Sequence, residues 1–280
     1  MIPRLQRDLR SAMSLAPGVI MRHTTMVLSG LGALALLASA SAAPLGYLAP
    51  GAAPDMIRVL PEPPAPKSDE QSSDDRAFRA TRKLEGSPRW AMAQQDNRGS
   101  PDDALHDFAC AIGVTLDERS APTLHSLLAR IAADARPFID SAKNHYARPR
   151  PFLRMKGDIC VPRTDSLAGS GSYPSGHSTM GWAWGLILSD LAPDRSTEIL
   201  SRARAYSESR VVCGVHYPSD IANGRLNGSA LFAVLETSPD FRADLERARA
   251  EVAAARAAGA APPDPQVCKV EAEAEARRPW

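Results

Sequence analysis

The sequence predicts an all-α protein, in which one compact helical domain follows an extended N-terminal arm. Hydrophobic residues make up 44% of the 280 residues and aromatic residues only 5%, and alanine is abundant, which favours helices. Apolar side chains recur at helical spacing, as at Leu124, Leu128 and Ile131, whereas no stretch of useful length alternates between apolar and polar residues. A chain of this length can bury a large hydrophobic core.

The first 42 residues are expected to be an export signal that is cleaved off. Arg22 precedes an apolar run over residues 26–37, and small residues then offer A-x-A cleavage patterns at 38–40 and 40–42. The run is shorter than the roughly 20 apolar residues that cross a bilayer, which favours a cleaved leader over the alternative, a retained membrane anchor. The mature protein is therefore expected in the periplasm.

Four segments are expected along the chain. Residues 1–42 form the signal peptide, and the long basic stretch at their start indicates that translation begins at Met21. Residues 43–75 are rich in proline and in small or charged residues and form the extended arm. The helical domain covers residues 76–260, and the Pro-rich, acidic residues 261–280 form a surface tail.

Within the helical domain, proline and glycine mark where successive helices end. Pro149 stops one apolar stripe, and a Gly/Ser-rich loop follows it over residues 152–173. Gly224 and Gly228 lie four residues apart on one helical face, which indicates close packing against a second helix. The predicted helices cover about 104–112, 121–133, 138–146, 174–191, 195–212, 219–235 and 240–258.

The net charge and the cysteine spacing exclude several kinds of partner. A formal net charge of +1 gives no broad electrostatic case for a nucleic acid polymer or an anionic membrane. No Cys-x-x-Cys pair occurs, so no zinc site and no other metal site is expected. After export, the even number of cysteines favours disulfides, but the sequence leaves three pairings open among Cys110, Cys160, Cys213 and Cys268.

The first of three chemically notable stretches ends in Arg-Pro-Arg-Pro. Lys143 and Arg150 are seven residues apart, which is two helical turns, although Pro149 indicates that Arg150 lies just past the helix end. Two cations on one side can clamp a phosphate, with the arginine binding in bidentate fashion. Taken alone, the stretch is weak evidence, because a Lys and an Arg at a helix end more often face solvent or complement the helix dipole.

The second stretch, Tyr-Pro-Ser-Gly-His, opens a helix. Ser175 and Gly176 would present main-chain N–H groups to an anion, assisted by the helix dipole. His177 would then lie in the first turn, beside the bound group, where it can transfer a proton. The alternative is an ordinary serine N-cap with an exposed histidine.

The third stretch supplies another cation and a histidine–aspartate pair. Arg210 is followed by His216 and, four residues later, by Asp220. At that spacing the carboxylate can hold one imidazole nitrogen and leave the other as a nucleophile or base. Pro218 places the pair at a loop-to-helix junction, and the alternative is a surface pair worth little energy.

Together the three stretches resemble a known signature, Lys-x6-Arg-Pro, Pro-Ser-Gly-His and Ser-Arg-x5-His-x3-Asp. The signature belongs to the superfamily of type 2 phosphatidic acid phosphatases, bacterial non-specific acid phosphatases and vanadium haloperoxidases. All eleven of its fixed positions are filled in order here. The segments around Tyr47, Val59 and Gly171 further resemble the class A bacterial acid phosphatases, so the likeness extends over nearly the whole mature chain.

This resemblance implies a metal-independent acid phosphatase that needs no cofactor and forms a dimer or larger homo-oligomer. His216, oriented by Asp220, would attack phosphorus, and His177 would protonate the leaving alcohol. The phosphate oxygens would be held by Lys143, Arg150, Arg210, Ser175 and the amide of Gly176.

The substrates expected are small phosphomonoesters, and nothing in the sequence selects the alcohol. Nucleotides, sugar phosphates and aryl phosphates stay open, as do apyrase-like and phosphotransferase activities. Two alternative functions are a vanadium-dependent haloperoxidase, which generally has a longer chain, and a phosphate-binding protein without turnover. The paired histidines count against pure binding, because binding alone does not require both.

Overall fold

The structure is a computed structural model that describes residues 46–280, and every regular element in that range is helical. The all-α prediction is thereby confirmed. Short 3₁₀ turns lie at Arg82–Leu84 and Pro193–Arg195. In chain order, the α-helices of the described range are α1 (Met56–Val59), α2 (Asp69–Thr81), α3 (Pro88–Gln95), α4 (Pro101–Asp107), α5 (Ala109–Ile112), α6 (Pro122–Tyr146), α7 (Pro151–Arg154), α8 (Asp165–Gly169), α9 (Gly176–Leu191), α10 (Ser196–Val212), α11 (Pro218–Leu235), α12 (Pro239–Ala257) and α13 (Pro265–Ala276).

Helix α9 is the element around which the others pack, and it contacts α6, α10, α11 and α12. Its apolar residues are buried along much of its length, including Ala183, Ile187 and Leu191. Helix α6 contributes a buried stripe that includes Leu124 and Phe138 to the same core. A helix that is apolar on most sides has to be surrounded, so α9 holds its N-terminal turn in the interior of the domain.

Two glycines bring α11 into direct contact with the first half of α9. A Cβ atom at Gly224 would lie 2.7 Å from the carbonyl oxygen of Ser175, and one at Gly228 would lie 2.5 Å from that of Thr179. Both distances are shorter than a van der Waals contact allows, so the two backbones can approach only because these positions lack side chains. The close packing predicted from the glycine spacing is confirmed.

The two helices predicted over 121–133 and 138–146 are one continuous helix, α6. Pro137 lies inside it and leaves the carbonyl of Ala133 without its helical hydrogen bond. Both residues are exposed, so water can satisfy that carbonyl, and Ser141 donates to the carbonyl of Pro137. The proline therefore lies on the solvent side of the helix and does not end it.

The expected arm is shorter than residues 43–75, because α2 already begins at Asp69. Ser68 caps this helix by accepting a hydrogen bond from the N–H of Gln71, and Asp69 and Glu70 occupy the first turn. The composition of this stretch predicted that these residues belong to the extended arm. A serine cap followed by acidic residues is instead a helix start signal, because both satisfy or complement the free N–H groups.

The expected tail, residues 261–280, contains helix α13 and is tied to the domain. Of the three possible cysteine pairings, the structure has Cys110–Cys268 and Cys160–Cys213. The first links α13 to α5, and Glu271 on α13 is buried. Because a covalent link and buried contacts hold it, this segment is a packed helix at the surface of the domain.

The predicted export signal lies outside the described residues. Within residues 46–280, no helix combines the length and the apolar character needed to cross a bilayer.

We predict that Gly228→Ala lowers the free energy of unfolding by about 1–3 kcal/mol, because the added methyl group must push α11 away from α9. Thermal or urea denaturation measures the change. Gly169→Ala is the matched control, since no atom lies within 4 Å of the methyl group it would add. Equal stability of the two variants would contradict the packing argument.

Candidate active site

His216 lies immediately before α11 and is held by the N-terminal cap of that helix. The Oδ2 atom of Asp220 accepts a 2.8 Å hydrogen bond from the main-chain N–H of Tyr217. The same oxygen lies 3.3 Å from Nδ1 of His216. Pro218 begins the helix at the position where a missing N–H costs nothing. The carboxylate that caps α11 therefore also orients the imidazole, at the loop-to-helix junction expected from the sequence.

The hydrogen bonds of His216 determine which ring nitrogen carries the proton. Nη1 of Arg150 lies 3.1 Å from Nε2 of His216. A guanidinium only donates, so Nε2 is the acceptor and the proton is on Nδ1, directed at Asp220. Burial, reinforced by Arg150 and Lys143, lowers the pKa of His216 well below its usual value. His216 is therefore a neutral imidazole with its lone pair at Nε2.

Arg148 forms an ion pair with Asp220 and holds its carboxylate in place, a role that the motifs did not predict. Its Nη1 lies 2.5 Å from Oδ1 of Asp220, and its Nη2 lies 2.8 Å from Oδ2 of Asp74 on α2. Burial raises the pKa of Asp220 to about 6, and Arg148 opposes that rise. The Arg-Pro-Arg run contained the only sequence signal for this residue, two positions before Arg150.

Three cations, Lys143, Arg150 and Arg210, converge on one side of the cavity. No carboxylate in the described range lies within ion-pairing distance of any of them. Burial lowers the pKa of Lys143 to about 8, with Arg150 as the next cause, and lowers the pKa of each arginine to about 10. Unpaired buried cations destabilise one another, so their convergence indicates a site for an anion.

Neutral oxygen atoms hold each of these cations in place. Nζ of Lys143 donates to the carbonyl of Gly171 at 2.6 Å, and Nε of Arg150 donates to that of Ser170 at 2.9 Å. Nη1 of Arg210 donates to the side-chain oxygen of Asn97 at 2.7 Å. Carbonyl and amide oxygens fix the direction of a cation without cancelling its charge.

Ser175 and Gly176 begin α9 as the sequence predicted, but only Gly176 lines the cavity. Ser175 is fully buried, and its hydroxyl caps the helix by accepting from the N–H of Ser178. Its own N–H donates to the carbonyl of Asp220 at 3.1 Å. The structure therefore does not bring the Ser175 side chain to the cavity wall, because the helix cap and the α11 backbone occupy its polar groups.

His177 lies in the first turn of α9, opposite the segment that follows α3. Its Nε2 is 2.9 Å from the carbonyl oxygen of Asn97, and that oxygen only accepts, so Nε2 carries a proton. The ring of Tyr206 stacks against it with the centroids 6.5 Å apart. Burial first, and then the charge of Arg210, lower the pKa of His177 to about 3. In the free protein this histidine is neutral.

Six of the eight predicted site residues line one cavity of about 430 Å³. Asp220 lies behind His216, and Ser175 lies behind Gly176. Three other residues of the first two motif stretches, His145, Tyr146 and Tyr173, do not line it. Tyr173 is fully buried and stacks edge-on against Tyr146, 5.3 Å away. The six lining residues are Lys143, Arg150, Gly176, His177, Arg210 and His216.

The motifs did not predict the other residues that line the cavity, because these residues lie outside the three motif stretches. Polar groups line one part of it, and apolar side chains line another. Only tertiary packing brings them together, and no spacing in the sequence marks them. They are Asn97, Gly99, Ile139, Leu167, Ser170, Met180, Trp184 and Tyr206.

Within residues 46–280, no group of three or more His, Cys, Asp or Glu side chains is placed so that it could hold a metal ion. The polar groups around the cavity are instead cations, imidazoles and main-chain amides. This donor set suits an oxyanion and its proton transfers.

Comparison with known proteins agrees with this geometry. The family model described as the PAP2 superfamily matches residues 120–242, a range that contains all three motif stretches. An acid phosphatase of Zymomonas mobilis is 41% identical over 221 residues, which cover 79% of this chain and 83% of the relative. A non-specific acid phosphatase of Providencia stuartii is 35% identical over 75% of this chain and 85% of its own length.

A non-specific acid phosphatase of Salmonella typhimurium is 33% identical over 195 residues, which cover 69% of this chain and 78% of the relative. The similarity to these three relatives extends well beyond the motifs. On this similarity and on the match to the family model, the chain belongs to the PAP2 superfamily, together with these acid phosphatases.

Proposed function

We propose that this acid phosphatase hydrolyses small phosphomonoesters by transferring the phosphoryl group to His216. The observation that carries the proposal is a neutral His216, oriented by Asp220, beside two buried arginines and the half-buried Lys143, none of which has a carboxylate partner within residues 46–280. The cations would bind the equatorial oxygens of the phosphoryl group and stabilise their charge in the transition state. This arrangement supplies by fixed cations what bound metal ions supply in other phosphatases.

In the first step, Nε2 of His216 attacks phosphorus as the bond to the ester oxygen breaks. Arg150, which donates to Nε2 in the free protein, would turn its donor to a phosphate oxygen and free the lone pair. His177, which takes up a second proton from solvent at Nδ1 when the phosphate group binds among the cations, gives that proton to the departing alkoxide, so that a neutral alcohol leaves. Asp220 stabilises the positive charge that develops on the imidazole of His216.

In the second step, water takes the place of the alcohol. His177, now neutral, accepts a proton from the water as its oxygen attacks phosphorus. The bond from phosphorus to Nε2 breaks, and His216 becomes neutral again. Inorganic phosphate leaves, and His177 then returns its extra proton to solvent. The same residue thus serves as acid in one step and as base in the next.

Because the first step needs a protonated His177, the mechanism favours hydrolysis at acidic pH. Its pKa of about 3 in the free protein results from burial and from the neighbouring Arg210. A phosphate group bound among the cations offsets part of that positive potential and raises the pKa of His177. The first step still needs the proton, so the rate of this step falls as the pH rises.

The cavity supports a broad range of alcohols. Its charged groups cluster where the phosphate would bind, whereas Ile139, Leu167 and Met180 form an apolar wall without side-chain hydrogen-bonding groups. Such a wall tolerates alcohols of different shape, because no buried donor or acceptor would be left unpaired.

The two disulfides support export to an oxidising compartment, and with it removal of the leader. We propose the periplasm as that compartment. The dimer or larger oligomer that the family implies stays a prediction.

We predict that His216→Ala lowers hydrolysis of p-nitrophenyl phosphate by about a thousandfold or more. The circular dichroism spectrum should stay unchanged. His145→Ala is the matched control, because this exposed histidine lies within the first motif stretch and outside the cavity. Mass spectrometry of the enzyme, quenched with alkali during turnover, should find phosphate on His216. Full activity of His216→Ala would rule out this nucleophile.

Treatment with a chelator should leave the rate of phosphomonoester hydrolysis unchanged, because fixed cations bind the phosphate. Phosphate release across aryl, sugar and nucleoside phosphates measures this rate and defines the substrate range at the same time. A loss of activity that Mg²⁺ or Zn²⁺ restores would contradict the mechanism. Halide oxidation with added vanadate should stay at background, which separates the phosphatase from the haloperoxidase alternative.

We predict that phosphate binding, measured as the inhibition constant of inorganic phosphate, weakens as the pH rises through about 8, where Lys143 loses its proton and the site loses one positive charge. In Lys143→Arg the cation persists, so this decline should move towards the pKa values of about 10 of Arg150 and Arg210. Lys143→Met should bind substrate weakly at every pH and lack the decline near 8. An unchanged profile in Lys143→Arg would assign the decline to another group.

A further inference from the structure

The segment that follows α3 is clamped along one face of α10 by three hydrogen bonds. Oδ2 of Asp96 accepts from the hydroxyl of Ser209, and the main-chain carbonyl of Arg98 accepts from the hydroxyl of Tyr206 at 2.9 Å. Between them, the side-chain oxygen of Asn97 accepts from Nη1 of Arg210 at 2.7 Å. Three consecutive residues, 96–98, thus accept hydrogen bonds from side chains that lie close together on α10.

A buried ion pair anchors this clamp. Asp96 is fully buried, and its Oδ1 lies 2.6 Å from Nη2 of Arg202, which is itself 1% exposed. Arg89 donates to the hydroxyl of Ser209 at 2.8 Å from the other side. Breaking such a pair leaves an uncompensated buried charge, which makes Asp96 a rigid support for the residue next to it.

Asn97 contacts two groups of the proposed mechanism at once. Its main-chain oxygen accepts from Nε2 of His177 at 2.9 Å, and its side chain holds Arg210. Nε of Arg210 is buried without a hydrogen-bond partner in the described residues. The contact with Asn97 is therefore a main determinant of the direction of this guanidinium.

The acceptor of the hydrogen bond from Arg210 is a neutral amide, and this chemical type matters as much as the position of the acceptor. Two buried arginines outside the cavity are held by carboxylates, Arg148 by Asp220 and Arg202 by Asp96. Arg210, which lines the cavity, is held by an amide. An amide oxygen orients the guanidinium and leaves its full charge available to a phosphate, whereas a carboxylate would form an ion pair with it.

We propose that Asn97 is a positioning residue of the phosphatase reaction, which acts through Arg210 and whose main chain holds His177. The Asn97 amide directs the guanidinium of Arg210 at a phosphoryl oxygen without neutralising it. The main-chain carbonyl of Asn97 fixes the ring of His177. This role rests on the proposed function and adds to it a residue that lies outside the three motif stretches.

The test is a double-mutant cycle of Asn97→Ala and Arg210→Ala, with kcat/KM and the inhibition constant of inorganic phosphate as readouts. Asn97→Ala alone should lower kcat/KM about ten- to hundredfold, the size of effect that misplacement of a catalytic group produces. In the Arg210→Ala background it should change either readout by no more than about twofold. Gln94→Ala, an exposed change on α3, is the matched control and should retain full activity.

Asn97→Asp adds a readout that a purely structural role would not move. At low pH its protonated carboxyl keeps a neutral acceptor, so phosphate binding should approach that of the natural protein. As the pH rises and the carboxyl ionises, phosphate binding should weaken far more than in the natural protein. Asn97→Ala should bind phosphate weakly throughout.

Two results would overturn the proposal. One is full activity of Asn97→Ala, and the other is an equal loss with and without Arg210, since Asn97 would then act by another route. Failure of the proposed function is distinguishable, because it requires that His216→Ala stays active. An inactive His216→Ala variant together with an uncoupled Asn97 rejects only the positioning role.

Discussion

Asp220 is the residue on which the geometry of the site depends, because it joins all three motif stretches. Its carboxylate caps α11, orients His216 and pairs with Arg148, and its carbonyl oxygen accepts from Ser175 at the start of α9. Burying a carboxylate is unfavourable unless hydrogen bonds and a counter-charge satisfy it. Asp220 has both, so satisfying its oxygens also fixes the relative positions of the groups around the cavity.

The three cations that line the cavity differ from Asp220 in that neutral groups hold them. Lys143, Arg150 and Arg210 are directed by neutral oxygens and have no ion-pair partner in the part of the chain that the structure describes. Mutual repulsion makes this arrangement unfavourable in the free protein, and a phosphate bound as proposed would relieve it. Burial, and then the same positive potential, lower the pKa of both histidines, so both are neutral in the free protein. Affinity for the anion and control of the proton thus have a common electrostatic origin.

Local patterns predicted much of the fold and failed at identifiable places. Helices α9 to α12 were predicted within a few residues, because their apolar spacing and their flanking prolines are local signals. The break predicted between residues 133 and 138 is wrong, because α6 continues through Pro137, which lies on the solvent side of the helix. Helix α13 was missed, because its burial and its link from Cys268 to Cys110 involve residues far away in the sequence.

The sequence by itself determined which charged residues gather at the cavity, since the identity and spacing of the Lys, Arg, His and Asp residues are local features that a signature records. It also determined the helical class, through composition and periodicity. Tertiary structure alone decided the cysteine pairing, the role of Arg148 and the clamp that places Asn97 against Arg210. Each of these joins residues more than 50 positions apart. Such contacts depend on how buried charges and hydrogen bonds are satisfied in three dimensions, and no local spacing encodes that.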